Sequence, residues 1–216
     1  MMIKELFGEF RIVGLAGDKS SGKTNNLMAL IEEFRQINKT TNIYVFGLNE
    51  ITIKWLKRFN NIFEISSLAQ LSDKENSLII IDEFQKLKLN DRRHKDLLND
   101  FVDFIYHRNN WCILSSPNIR DFNSVIGSKI ERWALKSLKQ SSIVNGSQLK
   151  DAVVQYNGRF KCINDININK DKLLIINEDF ERVIQLRYIK EVDNKKQNID
   201  IFCQGNAKEL SEKLSR

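Results

Sequence analysis

The stretch that decides the fold reads FRIVGLAGDKSSGKT, residues 10–24 of the 216-residue chain. Its first half, Phe10–Ala16, is a short apolar run that ends beside a glycine, which is typical of a buried strand. Beyond it, apolar side chains recur at helical spacing, at Leu27, Leu30, Ile31, Phe34 and Ile37. This stripe predicts a helix over 22–38, so a glycine-rich turn is expected between a strand and a helix.

The turn has the spacing Gly-x-x-x-x-Gly-Lys-Thr, which is typical of a loop that binds phosphates. Gly17 and Gly22 allow sharp backbone turns and a close approach to an anion. Lys23 supplies a cation for the β- and γ-phosphates, and the Thr24 hydroxyl is a candidate Mg²⁺ ligand. The predicted nucleotide-binding residues are therefore Gly17, Asp18, Lys19, Ser20, Ser21, Gly22, Lys23 and Thr24. The strand before and the helix after disfavour the alternative, a glycine turn that only caps a helix.

A second candidate site follows Leu78–Ile81, the most apolar strand predicted in the chain. Apolar residues at every position indicate burial on both faces, as in a parallel sheet. Asp82 and Glu83 come directly after this strand, at the carboxyl edge where ligands bind in open α/β sheets. We expect Asp82 to hold Mg²⁺ and Glu83 to orient or deprotonate an attacking water.

The remaining pattern predicts an α/β protein with a doubly wound, mainly parallel sheet. Up to residue 130, strands are expected at 42–48, 62–65 and 111–114, and helices at 51–59 and up to Arg108. Further strands are expected at 133–138, 160–163, 172–176 and 183–189, and helices at 147–156 and 206–214. We therefore expect a core over 1–138 and a strand-rich C-terminal extension over 139–216 that packs on it.

Composition agrees with a basic protein outside the membrane. Lys and Arg exceed Asp and Glu by 34 − 28 = 6, and the sequence pI is about 9.2. Such a balance suits a polyanion such as nucleic acid, although ordinary solubility charge gives the same excess. No apolar run approaches the roughly 20 residues that cross a bilayer, and 1–10 lacks the apolar stretch of a signal peptide. We expect a cytoplasmic protein, or a virion-associated one if the source is viral.

Together these motifs resemble the additional-strand P-loop NTPases, over about residues 10–138. The resemblance implies ATP and Mg²⁺ as cofactors, a strand inserted between the phosphate-loop strand and the Asp82 strand, and Glu83 as catalytic base. Residues 111–116 (WCILSS) look like the sensor strand of that group, with Ser116 as the side chain that reads the γ-phosphate. The alternative is that Ser115 and Ser116 simply end a strand.

Within that group the sequence is most similar to the RecA-like, HerA/FtsK-like branch. It contains no Asn-Lys-x-Asp motif of GTPases and no Leu-Ser-Gly-Gly-Gln motif of ABC transporters. Strands rather than a helical lid are predicted after residue 131, unlike the AAA+ group. One departure stands at 116–118 (SPN), where the branch usually has glutamine at or just past the strand tip.

The branch implies a homo-oligomeric ring, for example a hexamer, in which one subunit's arginine reaches its neighbour's γ-phosphate. Arg108 has the matching position, and Arg92, Arg93 and Arg120 are weaker candidates. The alternative for Arg108 is an arginine favoured by the C-terminal end of a helix dipole. The basic segment 86–95 is a candidate DNA contact, as are Lys136, Lys139 and Lys150, although each also fits a solvated surface.

The leading hypothesis is thus an ATP-hydrolysing motor of a virus or mobile element that moves or packages DNA, with a capsid or secretion channel as a further partner. A small-molecule or nucleotide kinase is the second hypothesis, with Arg92 and Arg93 imagined in its lid. A slow nucleotide-dependent switch or assembly ATPase is the third.

Overall fold

A computed structural model describes residues 6–87, 95–117, 121–122, 127–136, 172–177 and 180–190. Within them the helices are α1 (Lys23–Ile37), α2 (Glu50–Leu56) and α3 (Lys95–His107). The strands are β1 (Ile12–Ala16), β2 (Ile43–Phe46), β3 (Ile62–Glu64), β4 (Leu78–Ile81), β5 (Trp111–Ser116), β6 (Arg132–Leu135), β7 (Lys172–Asn177) and β8 (Phe180–Gln185). Short 3₁₀ turns occupy Leu68–Leu71 and Phe84–Leu87.

The eight strands form one sheet in the order β3-β2-β4-β5-β1-β6-β7-β8. The strands from β3 to β6 run parallel, and β7 and β8 are each antiparallel to the strand before. The predicted α/β fold with a mainly parallel sheet is confirmed. Strand β5 lies between β1 and β4, so the inserted strand that the resemblance implied is also confirmed.

Apolar side chains from alternate positions of the strands build a core on each face of the sheet. One face packs against α1 and α2 through residues such as Leu15, Leu30 and Ile80. The other packs against α3 and the turn after β4, through residues such as Ile81, Phe84 and Ile105. Because both faces are covered, the parallel strands are apolar at nearly every position.

Helix α1 has the apolar stripe that the sequence predicts. Leu27, Leu30 and Ile31 are almost completely buried against the sheet. Ile37, which also belongs to the predicted stripe, is 45% exposed because it is the last residue of the helix. The helix ends where the Arg35 guanidinium donates to the carbonyls of Asn38, Lys39 and Asn61, which ties the chain end of α1 to the loop before β3.

Beyond β6 the described residues include two of the predicted strands, with one shift. The strand predicted at 172–176 is β7, whereas the strand predicted at 183–189 is β8, which ends at Gln185. Leu186 and Ile189 are buried like strand residues, but Ile189 bonds to a side chain of α1 instead of a neighbouring strand. The elements predicted at 147–156, 160–163 and 206–214 lie outside the described residues.

No helix in the described part of the chain has the length and apolar character that crossing a membrane requires.

The fold requires a glycine at position 47, directly after β2, and this requirement can be tested. Its φ is +79°, and a Cβ added to it meets the Asp82 carbonyl oxygen at 2.0 Å. Gly8 has a similar φ of +55°, but a Cβ there meets only the flexible end of Arg132, at 3.3 Å. We expect Gly8→Ala to lower the free energy of unfolding by about 1 kcal/mol from backbone strain alone, and Gly47→Ala by roughly 3 kcal/mol.

Urea denaturation of the two alanine variants and the wild type measures this difference. Equal losses would mean that the Asp82 carbonyl yields freely to a side chain at position 47.

Candidate functional site

The segment Gly17–Thr24 joins the end of β1 to the start of α1 in a tight turn. The Ser21 N–H donates to the Asp18 carbonyl at 3.1 Å, and Ser20 has a positive φ of 67°. Gly17 lies against the side chain that follows β6: a Cβ at this position meets the Lys136 Cβ at 2.5 Å. The small size of Gly17 is therefore required by packing, since an added Cβ would also meet the Ser21 Oγ at 2.9 Å.

The amino end of α1 faces this turn. Gly22 is its N-cap with a φ of +96°, and no side chain caps the helix there. The first intrahelical bond runs from the Asn26 N–H to the Gly22 carbonyl at 3.0 Å. The amides of Lys23, Thr24 and Asn25 therefore precede the hydrogen-bonded ladder, and the first turn contains no acidic residue. This is the arrangement that favours an anion at a helix start.

Lys23 extends back over the turn that precedes it. Its Nζ donates to the carbonyls of Gly17 at 2.8 Å and Asp18 at 3.0 Å, and the residue is only 8% exposed. Burial lowers the pKa of Lys23 below its ordinary value, against the opposing charges of Asp82, Asp18 and Glu83. A desolvated ammonium group is thus held beside the helix start.

Asp82 is brought to the same place from β4, across the intervening β5. The Thr24 hydroxyl donates to its Oδ2 at 3.1 Å, and the Glu83 N–H donates to its Oδ1 at 3.0 Å. Burial raises the pKa of Asp82 above its ordinary value, while Ser115, Thr24 and Lys23 favour the ionised form. Thr24 and Asp82 together offer hydroxyl and carboxylate oxygens, the donors that Mg²⁺ prefers.

Glu83 occupies a strained position beside Asp82. Its φ is +52°, in the left-handed region that residues other than glycine rarely adopt. Its carboxylate pairs with Lys86, the first residue of the basic segment singled out from the sequence. Glu83 remains partly exposed, whereas the next residue, Phe84, is buried in the core. Strain of this kind collects at functional sites, and here it orients the second carboxylate away from the core.

The two serines at the tip of β5 face opposite sides of the sheet. Ser115 shares the α1 side with Ile113, next to Asp82, where it favours the ionised carboxylate. Its buried hydroxyl has no hydrogen bond of good geometry among the described residues. Ser116, the predicted sensor, lies on the other side and donates to Asp121 Oδ2 at 2.5 Å. The alternation of a strand thus brings Ser115, rather than its neighbour, towards Lys23 and Asp82.

Arg108 lies at the opposite edge of the sheet from these groups. It follows α3 and precedes β5, whose six residues advance about 20 Å before they reach Ser116. Its side chain is exposed. Arg108 is therefore too far from Lys23 and Asp82 of its own chain for direct contact. Arg92, Arg93, Arg120, Lys139, Lys150 and most of the basic segment lie outside the described residues.

Two residues of this region carry no recognisable signal in the sequence. Lys136, considered above as a surface cation, is fully buried beside Gly17, and its Nζ donates to the Lys172 carbonyl at the start of β7. Asn25 is buried in the first turn of α1 and bonds to both backbone groups of Ile189. Both contacts join residues far apart in the chain, so no local pattern predicts them. A cation inside the strand predicted at 133–138 and an asparagine directly after Thr24 are the only hints.

Comparison with known proteins rests on structure alone, since no family model and no curated protein matches the chain. The DNA-packaging ATPase B204 of Sulfolobus turreted icosahedral virus superposes with a TM-score of 0.59 at 12% identity, over 83% of this chain and 98% of that one. The genome-packaging NTPase B204 of Sulfolobus turreted icosahedral virus 2, solved with ATP-γS, gives a TM-score of 0.54 at 12% identity, over 83% and 98%.

A third similar structure contains ATPases 2 and 3 of EssC from Geobacillus thermodenitrificans. It has a TM-score of 0.56 at 12% identity and covers 88% of this chain and 43% of that one. At such identities the likeness concerns the fold. The chain has the fold of the additional-strand P-loop NTPases, as its resemblance predicted.

The buried Asp82 makes the stability of the free protein depend on pH in a predictable direction. A carboxyl whose pKa is raised on folding stabilises the fold below its unfolded pKa and loses that contribution as pH rises through the folded value. We expect Asp82→Asn, which removes the ionisation, to raise the free energy of unfolding at pH 7. The gain should shrink towards zero near pH 3.5, below the ordinary value of 3.8.

Urea denaturation at both pH values, with a chelator and no nucleotide, tests this. Asp103→Asn, on the exposed side of α3, is the matched control and should change little at either pH. A gain for Asp82→Asn that is equal at both pH values would contradict the argument.

Proposed function

We propose that this chain, with its additional-strand P-loop fold, binds ATP with Mg²⁺ at the carboxyl edge of the sheet and hydrolyses it. The observation that carries the proposal is the hydrogen bond from Thr24 to Asp82, beside the buried Lys23 and the start of α1. It joins a hydroxyl and a carboxylate from two distant motifs within 3.1 Å, next to a cation and free helix amides. Such a set suits a phosphate chain and its metal ion.

Each group has a distinct role in this proposal. The loop of residues 17–22, the amides of Lys23, Thr24 and Asn25, and the Lys23 ammonium bind the phosphates and offset their charge. Thr24 and Asp82 hold Mg²⁺, which would neutralise charge on the phosphate oxygens. Lys23 leaves the carbonyls of Gly17 and Asp18 to reach the phosphates. Burial raises the pKa of Asp82 in the free protein, so a proton competes with the cation for this carboxylate, and Thr24 and Lys23 offset that competition because they favour the ionised form.

Glu83 is the candidate base for the attacking water. It is the second carboxylate at this edge, it is partly exposed, and its left-handed backbone turns it away from the core. Small-molecule kinases often lack a glutamate directly after this aspartate, because a bound acceptor takes the place of water. Hydrolysis by water is therefore the reaction that this carboxylate favours.

We further propose that hydrolysis drives a ring-shaped homo-oligomer that moves or packages DNA. Support comes from the basic balance of the chain and from the fold shared with B204, a DNA-packaging ATPase of nearly the same extent. In this ring, the exposed Arg108, which lies about 20 Å from the groups of its own site, is the candidate arginine that reaches the neighbour's site. A cytoplasmic or virion location, and a capsid or secretion-channel partner, belong to the same proposal.

ATP turnover of wild type and Glu83→Gln, each with and without double-stranded DNA, tests both the proposed hydrolysis and the proposed action on DNA. Loss of the general base should lower turnover at least roughly 100-fold while ATP affinity stays within a few-fold. DNA should stimulate wild-type turnover, and less so as salt rises.

Glu64→Gln, an exposed carboxylate on β3, is the matched control and should behave like wild type. Undiminished turnover in Glu83→Gln would favour a kinase or another base. Turnover that DNA never alters would overturn the motor and leave a simple ATPase.

The position of Arg108 predicts complementation between subunits. Arg108→Ala and Lys23→Ala should each lower turnover by about 1,000-fold or more. Mixing the two should restore part of the activity, because an intact site can then face an intact arginine on its neighbour.

A mixture of Lys23→Ala with Glu83→Gln is the matched control, since both changes damage the same site and should stay inactive. If the mixture of Arg108→Ala with Lys23→Ala regains no ATP turnover, Arg108 takes no part in the reaction of a neighbouring subunit.

A further inference from the structure

The segment that follows β8, Leu186–Lys190, is fastened to the first turn of α1. The Asn25 side chain donates to the Ile189 carbonyl at 2.5 Å and accepts from the Ile189 N–H at 3.1 Å. Asn25 is 5% exposed and Ile189 is 3% exposed, so this pair of bonds is shielded from water. The amide of one side chain thus replaces a neighbouring strand and satisfies both backbone groups of Ile189.

Other contacts hold the segment along the same face of α1. Leu186 and Ile189 belong to the core between the sheet and this helix. Arg187 pairs with Glu32 at 3.2 Å, two helical turns beyond Asn25. Arg187 is 71% exposed, so that pair contributes little. The buried Asn25 bonds and the two apolar side chains therefore set the position of the segment.

The order of the strands shows on which side of β1 the segment 186–190 lies. Asp82 and Ser115 follow β4 and β5, which lie on one side of β1. The segment 186–190 follows β8, which lies on the other side of β1, beyond β6 and β7. We place the γ end of a triphosphate at Lys23, Asp82 and Glu83, and its other end at the opposite side of the helix start, where Asn25 contacts the segment. Its nucleoside then lies on the side of the segment.

We propose that the segment 186–190 forms the wall of the nucleoside subsite and that Tyr188 packs against the base, with Asn25 as a positioning residue. This rests on the proposed nucleoside triphosphate site. Tyr188 is the only aromatic residue of the segment, and it is half-buried between the exposed Arg187 and the buried Ile189. A flat aromatic surface recognises a base by stacking, which tolerates different bases because each has a π-face.

Binding of Mg-ATP and of Mg-tripolyphosphate to the full chain separates the nucleoside from the phosphates. Tyr188→Ala should weaken ATP binding roughly 5- to 100-fold, with tripolyphosphate affinity unchanged. Tyr188→Phe keeps the ring and should bind ATP like wild type. Tyr106→Ala, an exposed tyrosine on α3, is the matched control and should change neither affinity.

Asn25→Leu keeps the size of the side chain, adds no charge at the start of α1, and removes both hydrogen bonds to Ile189, so it tests the positioning role. It should lower ATP affinity and raise the KM for ATP more than it lowers kcat, while tripolyphosphate affinity stays the same.

ATP affinity that is unchanged in Tyr188→Ala, or tripolyphosphate affinity that falls together with it, would overturn the nucleoside wall. If wild type binds neither compound, the proposed function itself fails, and this inference fails with it. Wild-type binding of both with no effect of Tyr188→Ala rejects the wall alone.

Discussion

Everything at the carboxyl edge of the sheet depends on the parallel packing of β1, β5 and β4. Strands that run parallel end at the same edge, and two interstrand steps set the ends of β1 and β4 about 10 Å apart. That gap is too wide for the backbone after β1 to contact Asp82 directly. Helix α1 starts above it and carries Thr24 across, so that the hydroxyl meets the Asp82 carboxylate at 3.1 Å. The site is thus a product of strand spacing and of one helix that begins at Gly22.

The same arrangement is electrostatically costly in the free protein. Lys23 and Asp82 are both nearly buried, and burial acts against the charged form of each: it lowers the pKa of one and raises that of the other. Their mutual attraction offsets part of this cost. The proposed nucleotide and its Mg²⁺ would supply the missing charges for both, which would couple ligand binding to stability. The left-handed backbone of Glu83 also lowers the stability of the fold, at the place where the function is proposed.

The sequence was most informative where a feature depends on neighbours in the chain. Strand β1, helix α1 and strand β4 follow from apolar runs and helical spacing, and the loop and Asp82 follow from their positions next to those elements. The choice between Ser115 and Ser116 depends on which face of β5 each side chain takes. Once Ile113 is known to face α1, strand alternation places Ser115 on the same side as Lys23 and Asp82.

Contacts across long stretches of sequence could not be predicted in this way. Gly47 is a glycine because the Asp82 carbonyl passes over it, and Gly17 is small because Lys136 packs there. The buried Asn25 side chain is matched to both backbone groups of Ile189. In each case the reason is a partner brought in by the tertiary fold, which no local period reveals. The roles expected for Lys23, Glu83, Arg108 and Ser116 stay predictions.

The bond between Asn25 and Ile189 also bears on the order in which the protein is made. Its two residues are separated by 164 positions, so α1 leaves the ribosome long before the segment that covers its first turn. At about 5–20 residues per second, that interval is on the order of 10–30 seconds. For that time the Asn25 amide and the apolar face of α1 that Leu186 and Ile189 cover lack their final partners. A nascent chain in this state is open to aggregation or to capture by a chaperone, and completion of the last strands ends its exposure.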